Sequence, residues 1–295
     1  VPYIVSTRNA NTMPENILRD PFPVLFEGIH TTSLLGPCSR ARKKTLVRMH
    51  NVEHLYYRLL SRSEPNLLKK AYLRIEAAKL RRYEAVLHQA DHILAISRPD
   101  TVYFGKRYGK SIFVPAFHQF DRVSASTGFG DYILVHGNLG VPENSEMYLR
   151  LHRNVLSELN LPVVVAGKNP PEQLKRIIGK TGHIKLVADP PAHHMDELIR
   201  HAHVNLLFTG QATGIKLKLL HALFGGRHCV VNEPMVKGTG LESLCICVDS
   251  PGQLPDLLGG LMKREFSEEK IRERRKALTD YSNRAGAEKI LRLLS

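Results

Sequence analysis

TGIKLKLLHALFGGRHCVVN, residues 213–232, is the stretch on which the fold of this 295-residue chain turns. It reads as a polar, glycine-bearing loop, a short helix, a Gly-Gly stop and a buried strand. Ile215, Leu219, Leu220 and Leu223 fall at i, i+4, i+5 and i+8, the spacing of one helical face. Gly225 and Gly226 are expected to end that helix, since glycine reaches left-handed backbone angles without steric cost. Cys229, Val230 and Val231 follow as a short apolar run suited to a parallel strand covered on both faces. A helix opening just after a strand, here 203–208, presents unpaired backbone N–H groups and a positive dipole end. Phosphate is the usual guest at such a place. Lys216 and Lys218 add fixed charge there, so a nucleotide diphosphate is the sharp reading. An ordinary loop-helix-strand unit with solvated lysines accounts for this segment equally well.

The same alternation extends outward in both directions. Upstream, strand-like runs stand at 3–5, 24–26, 46–49, 93–96 and 112–114, with helical stretches at 52–61, 67–90 and 100–108. Residues 118–131, HQFDRVSASTGFGD, lack periodicity and are rich in serine and glycine, as a linker would be. Beyond them strands are expected at 133–136, 163–166, 185–187, 204–208, 229–231 and 245–248, and helices at 143–159, 171–178, 195–202 and 216–224. Strands alternating with helices imply parallel sheets with right-handed crossovers. The expected fold class is therefore α/β: two Rossmann-like doubly wound domains facing a cleft, the first incomplete. The domain bounds read as 1–117, a linker 118–131, a second domain 132–265, and helices over 266–295. The chain opens on Val1 inside an apparent strand, as a fragment would. Open α/β sheets bind ligands beyond their strand carboxyl ends, so the architecture points to a cleft enzyme.

Forty-two basic residues against 28 acidic give a net charge of +14 and an attraction to something anionic. Lys70, Arg74 and Arg81 share one face of the 67–90 helix, and Arg40, Arg42, Lys43 and Lys44 make a second cluster. A solvated face is the plain reading of both. Contact with an anionic membrane is the sharper one, at about 1 kcal/mol per surface cation. Nucleic acid is disfavoured, because the chain has no Trp and its 7% of aromatics do not interleave with the basic runs. Cys38, Cys229, Cys245 and Cys247 have no CxxC spacing. The last three sit in apolar runs as reduced core thiols, which suits a reducing cytoplasm. No apolar run approaches the roughly 20 residues that span a bilayer, and no signal peptide is visible.

Taken in order, YILVHGNL, VVVAGK and the 213–232 segment resemble the donor-binding domain of GT-B glycosyltransferases of the retaining family-4 type. LVRMHNVEH and ADHILAIS resemble that group's acceptor domain, so the likeness covers nearly the whole chain. It implies transfer of a hexosyl unit from a nucleotide-diphosphate sugar to a saccharide or lipid-linked acceptor. Retention, no metal or other cofactor, and a role in cell-envelope polysaccharide or glycan synthesis come with it. So does a cytoplasmic place, peripheral to the inner face of the plasma membrane. Carried over residue by residue, the likeness puts Thr213 near the donor sugar and His221 near the ribose, where relatives carry glutamates. Lys218 matches a lysine that offsets diphosphate charge, and Gly214, Ile215 and Lys216 form the helix entry around it. Gly137 and Asn138 occupy the first turn of the donor domain, where relatives have Gly-Arg. Lys168 is placed to supply the missing cation from the next strand end; a plain strand-terminal lysine is its alternative. His50 matches a histidine beside the donor sugar. The His50/His54 pair lacks a third ligand, so no metal site is expected. The missing glutamates leave a second reading open, a catalytically impaired protein that binds a sugar nucleotide or a partner.

Overall fold

The computed structural model describes residues 1–8, 15–210 and 217–294. The chain forms two compact units. Of the described residues, one holds Val1–Ala116 joined by the final stretch from Arg284, and the other holds 117–210 and 217–283.

In the first unit four parallel strands, β1 (Val24–Glu27), β2 (Thr45–Met49), β3 (His92–Ala95) and β4 (Ser111–Phe113), pair in sequence order. Val47, Met49, Ile93 and Ala95 face a core with Phe26, Leu80, Leu87 and Phe104. Leu46, Leu94 and Val114 point the other way, against Ile290 with Leu293 and Leu294. Both faces are covered, which is why these strands read as unbroken apolar runs. Three helices matter below: α1 (Glu53–Ser63), α2 (Leu67–Tyr83) and α3 (Arg98–Tyr108). Ser97 caps α3 by accepting from Asp100 N–H at 3.2 Å, its structural reason for preceding Pro99. Buried Glu84 accepts from His54 at 2.9 Å, Tyr103 at 2.8 Å and Tyr108 at 3.0 Å, tying the three helices together.

The second unit holds six parallel strands: β5 (Tyr132–Asn138), β6 (Val163–Lys168), β7 (Ile184–Ala188), β8 (Ala202–Leu207), β9 (His228–Val231) and β10 (Ile246–Cys247). Their order is β10-β9-β8-β5-β6-β7. The chain starts at the centre, builds outward to β7, then returns to the other side of β5. That is the doubly wound Rossmann order, and its direction reverses between β5 and β8. The helices that serve the site are α4 (Pro142–Leu151), α5 (Ala192–His201) and α6 (Leu217–Gly225).

Several elements differ from the sequence expectation. Residues 3–5 are not a strand: they lie in a one-turn helix, Tyr3–Ser6, closed by Val5 and Ser6 N–H groups onto Pro2 O. The 67–90 helix stops at Tyr83 and tightens to 3₁₀ geometry over Glu84–Gln89, where the Glu84 carboxylate turns into the core. The 143–159 helix stops at Leu151 and continues as a π-turn, His152–Leu156. The last strand shortens to Ile246–Cys247, with Cys247 exposed rather than a core thiol. Gly225 and Gly226 do not adopt left-handed angles. Gly226 is required by close approach instead, because a Cβ there would lie 2.3 Å from Asn205 Nδ2 and 2.9 Å from Ala222 O. Residues 118–131 run along the second unit, with Ser124 N–H on Phe224 O at 2.8 Å and Phe120 stacked on Phe224.

Candidate nucleotide-binding pocket

A pocket of about 270 Å³ opens at the carboxyl ends of the second sheet. His136, Gly137 and Asn138 enter it from the end of β5, Gly167 and Lys168 from the end of β6, and Lys218 and His221 from α6. Five residues singled out in the sequence, Gly137, Asn138, Lys168, Lys218 and His221, are thus brought together. They lie beside the reversal between β5 and β8, where an open α/β sheet leaves its crevice. Thr213, Gly214, Ile215 and Lys216 lie outside the described residues.

The loops around this pocket are fixed by short-range chemistry. Asn138 Oδ1 accepts from Gly140 N–H at 3.2 Å, and its carbonyl accepts from Asn144 Nδ2 at 2.9 Å. This closes the first turn before Pro142 opens α4. Asn169 and Asp189, just past β6 and β7, hold φ of 50° and 49°. Asn and Asp tolerate that region better than other residues with a Cβ, and such strain gathers where a site over-determines the backbone. Asp189 Oδ1 accepts from Asn169 N–H at 2.7 Å and so locks the two loops. Beyond β8, Glu143 Oε1 accepts from Thr209 Oγ1 at 2.7 Å and Gly210 N–H at 3.2 Å. Asn232 holds the same loop from the far side. Gly167 is sterically obligatory, since a Cβ would come within 1.9 Å of Gly137 O.

The electrostatics are cationic at one end and neutral at the other. Lys218 Nζ donates to Phe208 O at 3.2 Å, which aims the ammonium across the β8 end. An ideal Cβ on Gly137 would lie 4.0 Å from that nitrogen, so the missing side chain leaves space directly before the cation. His136 was not singled out from the sequence. It is buried, and its Nε2 has no hydrogen-bond partner. Burial first, then the Lys218 and His221 charges, push its pKa down to about 3. Its ring is therefore neutral where it lines the pocket. The signal was its place, two residues before the end of a buried strand, but periodicity made it a core position. Burial also lowers His221, against a raising effect from Asp196. Asp196 accepts from Gln119 Nε2 at the pocket rim. Asp196 and Gln119 belong to stretches the sequence reading treated as helix and linker.

His50 lies in the first unit, just past the end of β2. Its Nε2 pairs with Glu27 Oε2 at 3.0 Å, and that hydrogen bond lowers the Glu27 pKa against burial. His54 is committed to Glu84. Among the described residues no three His, Cys, Asp or Glu side chains gather as a metal-ligand set. No described helix is long and apolar enough to cross a membrane.

Sheet order and pocket together define the class of fold: it is that of the GT-B glycosyltransferases. TarM superposes with a TM-score of 0.66 at 10% identity, over 92% of this chain and 54% of its own. The UDP-forming α,α-trehalose-phosphate synthase of Burkholderia xenovorans, solved with glucose-6-phosphate, gives 0.64 at 11% identity, over 94% and 74%. A curated relative is an uncharacterized 44.6 kDa protein in the cps region of Klebsiella pneumoniae, 26% identical over 242 residues. That alignment takes in 77% of this chain, which spans 62% of the relative's length. No family model matches the chain.

Proposed function

We propose that the second unit binds a nucleotide-diphosphate sugar and that the protein transfers its hexosyl group to a saccharide or lipid-linked acceptor. The observation that carries the reading is the Lys218 ammonium facing the space above Gly137 at the sheet reversal. A diphosphate seated there meets Lys218, with Lys168 from the next strand end as a second cation. Stabilising the charge that develops on a departing diphosphate is the largest single contribution such a site makes. Neutral His136 offers a hydrogen bond without adding charge, and His221 takes the ribose side. Thr213, Gly214, Ile215 and Lys216 are assigned to the same donor site by their resemblance to the family's donor-side motif. His50, oriented by Glu27, is assigned to the sugar.

The reaction is proposed to retain anomeric configuration and to use no metal, the lysines taking the place of a divalent cation. The acceptor hydroxyl attacks the anomeric carbon, the bond to the diphosphate breaks, and the hydroxyl proton passes to the leaving phosphate oxygen. A solved trehalose-6-phosphate synthase neighbour is described as transferring with retention, and an S. aureus TarM structure holds UDP. The cps-region relative supports a place in envelope polysaccharide synthesis, and the proposal puts the protein at the cytoplasmic face of the membrane. Thr213 and His221 in place of two carboxylates favour a second reading, a sugar-nucleotide binder without turnover. Incubation with a panel of UDP- and GDP-sugars, with and without chelator, separates the readings. Release of free nucleoside diphosphate insensitive to chelator is expected. Binding without release supports the second reading, and no thermal shift with UDP or GDP removes both.

A further inference from the structure

A second concavity, in the first unit, is not used by the donor pocket. It encloses about 860 Å³ and is walled by Arg58 and Arg62 of α1, Arg74, Arg81 and Arg82 of α2, and Arg107 of α3. The lining between these guanidinium groups is alanine and serine. Arg107 lies 3.4 Å from Glu84 and 3.2 Å from Tyr108 Oη. The other five have no carboxylate partner among the described residues. Helix formation does not explain such a cluster. Arg58 and Arg62 stand at i, i+4, where like charges destabilise a helix, and Arg74 and Arg81 are seven apart on one face. A fold that gathers five such arginines and a sixth, Arg107, around one hollow loses stability unless an anion occupies it. Guanidinium is also the cation whose planar fork matches a carboxylate or phosphate through two parallel hydrogen bonds.

We propose that this groove binds a glycan chain bearing several carboxylate or phosphate groups. A single small anion would neutralise one or two of the arginines and leave most of the hollow empty. A chain with repeated negative charges satisfies both the volume and the number of donors. Because the charge is concentrated in a concavity, it suits a strand laid into a channel better than the plane of a bilayer. Reading that glycan as the acceptor rests on the proposed function. Binding itself does not, and it is measured without nucleotide, so a failed donor site and a failed groove are told apart.

The test is titration of the protein at near-physiological salt with fluorescent oligogalacturonate, a carboxylate-bearing saccharide, against a neutral dextran oligomer of equal length. Binding of the acidic chain at least tenfold tighter than dextran is expected. The Arg74→Gln, Arg81→Gln, Arg82→Gln triple variant should weaken it tenfold or more. Removing the same charge elsewhere, by Lys263→Gln, Arg272→Gln and Lys276→Gln on exposed positions of the second unit, should change it less than twofold. The groove variant should melt no lower than the parent, because like-charge repulsion is relieved; a purely structural cluster would melt lower. Because α2 also exposes Leu67, Leu68 and Ile75, phosphatidylglycerol vesicles and duplex DNA are run alongside. Tighter binding to either, equal weakening by both triple variants, or no preference over dextran overturns the proposal.

Discussion

The two sheets are ordered by opposite routes. In the second unit the chain begins at the centre and reverses between β5 and β8, so topology alone leaves a crevice there. In the first unit β1-β2-β3-β4 follow sequence order, and the described strands contain no reversal. Its arginine-walled hollow lies instead among helices, built from side chains on α1, α2 and α3 and the turn after α2. One site is made by backbone geometry with two lysines and a neutral histidine, the other by charge on a scaffold indifferent to it. The difference predicts that the pocket of the second unit is intolerant of backbone change and the arginine groove tolerant of side-chain change.

The heaviest blow to the first unit should come from its polar core rather than its groove. Burial acts to raise the Glu84 pKa, but hydrogen bonds from His54, Tyr103 and Tyr108 more than offset it and hold the carboxylate below its ordinary range. Glu84→Ala should cost about 3–5 kcal/mol in urea unfolding, the usual result of breaking a buried charged network. If that variant unfolds like the parent, the network does not hold α1 to α3. In the second unit, Gly167→Ala should cost about 3 kcal/mol, the upper end of overpacking, since the new Cβ meets Gly137 O. A native midpoint for Gly167→Ala would mean that β5 and β6 part easily, and the contrast between rigid and tolerant sites would fail. Lys218→Ala should abolish the thermal shift with UDP or GDP and slow nucleotide release about 100-fold. A parental shift in that variant would detach the lysine from the phosphate.

The smallest expected effect concerns pH. His136 is held near 3 in the folded state against 6.5 when free. Below about pH 6.5 the unfolded chain takes up a proton that the native pocket refuses, so stability falls as pH drops toward 3. Buried His228, held near 4, acts in the same direction. Between pH 7 and 5.5 the melting temperature should fall by about 2–4 °C. The fall should be shallower in His136→Asn, and an identical slope would show that the ring is already hydrated in the native state.

Much of the second unit was legible because its cues are local. Apolar runs such as VVV at 163–165 and CVV at 229–231 mark doubly covered strands, and both appear where the pattern placed them. Gly137, Asn138, Lys168, Lys218 and His221 converge because each follows a strand end or faces one from α6. Errors fell where a distant partner overrode the local pattern. Tyr3–Ser6 looked like a strand but finds no neighbouring strand to pair with. The 67–90 helix was cut short when Glu84 turned inward to three partners from other elements. His136 passed as core because strand alternation says which face a side chain takes, not what waits at the strand's end.

Periodicity and strand-end glycines were enough to specify two parallel α/β sheets and the short helix Leu217–Gly225 between two strands, since their cues are local. Three things waited on tertiary packing: which glycine is obligatory, which histidine loses its proton, and which arginines share a hollow. Each of these depends on atoms far apart in the chain meeting at a few ångströms, and burial and Coulomb forces act only on that distance.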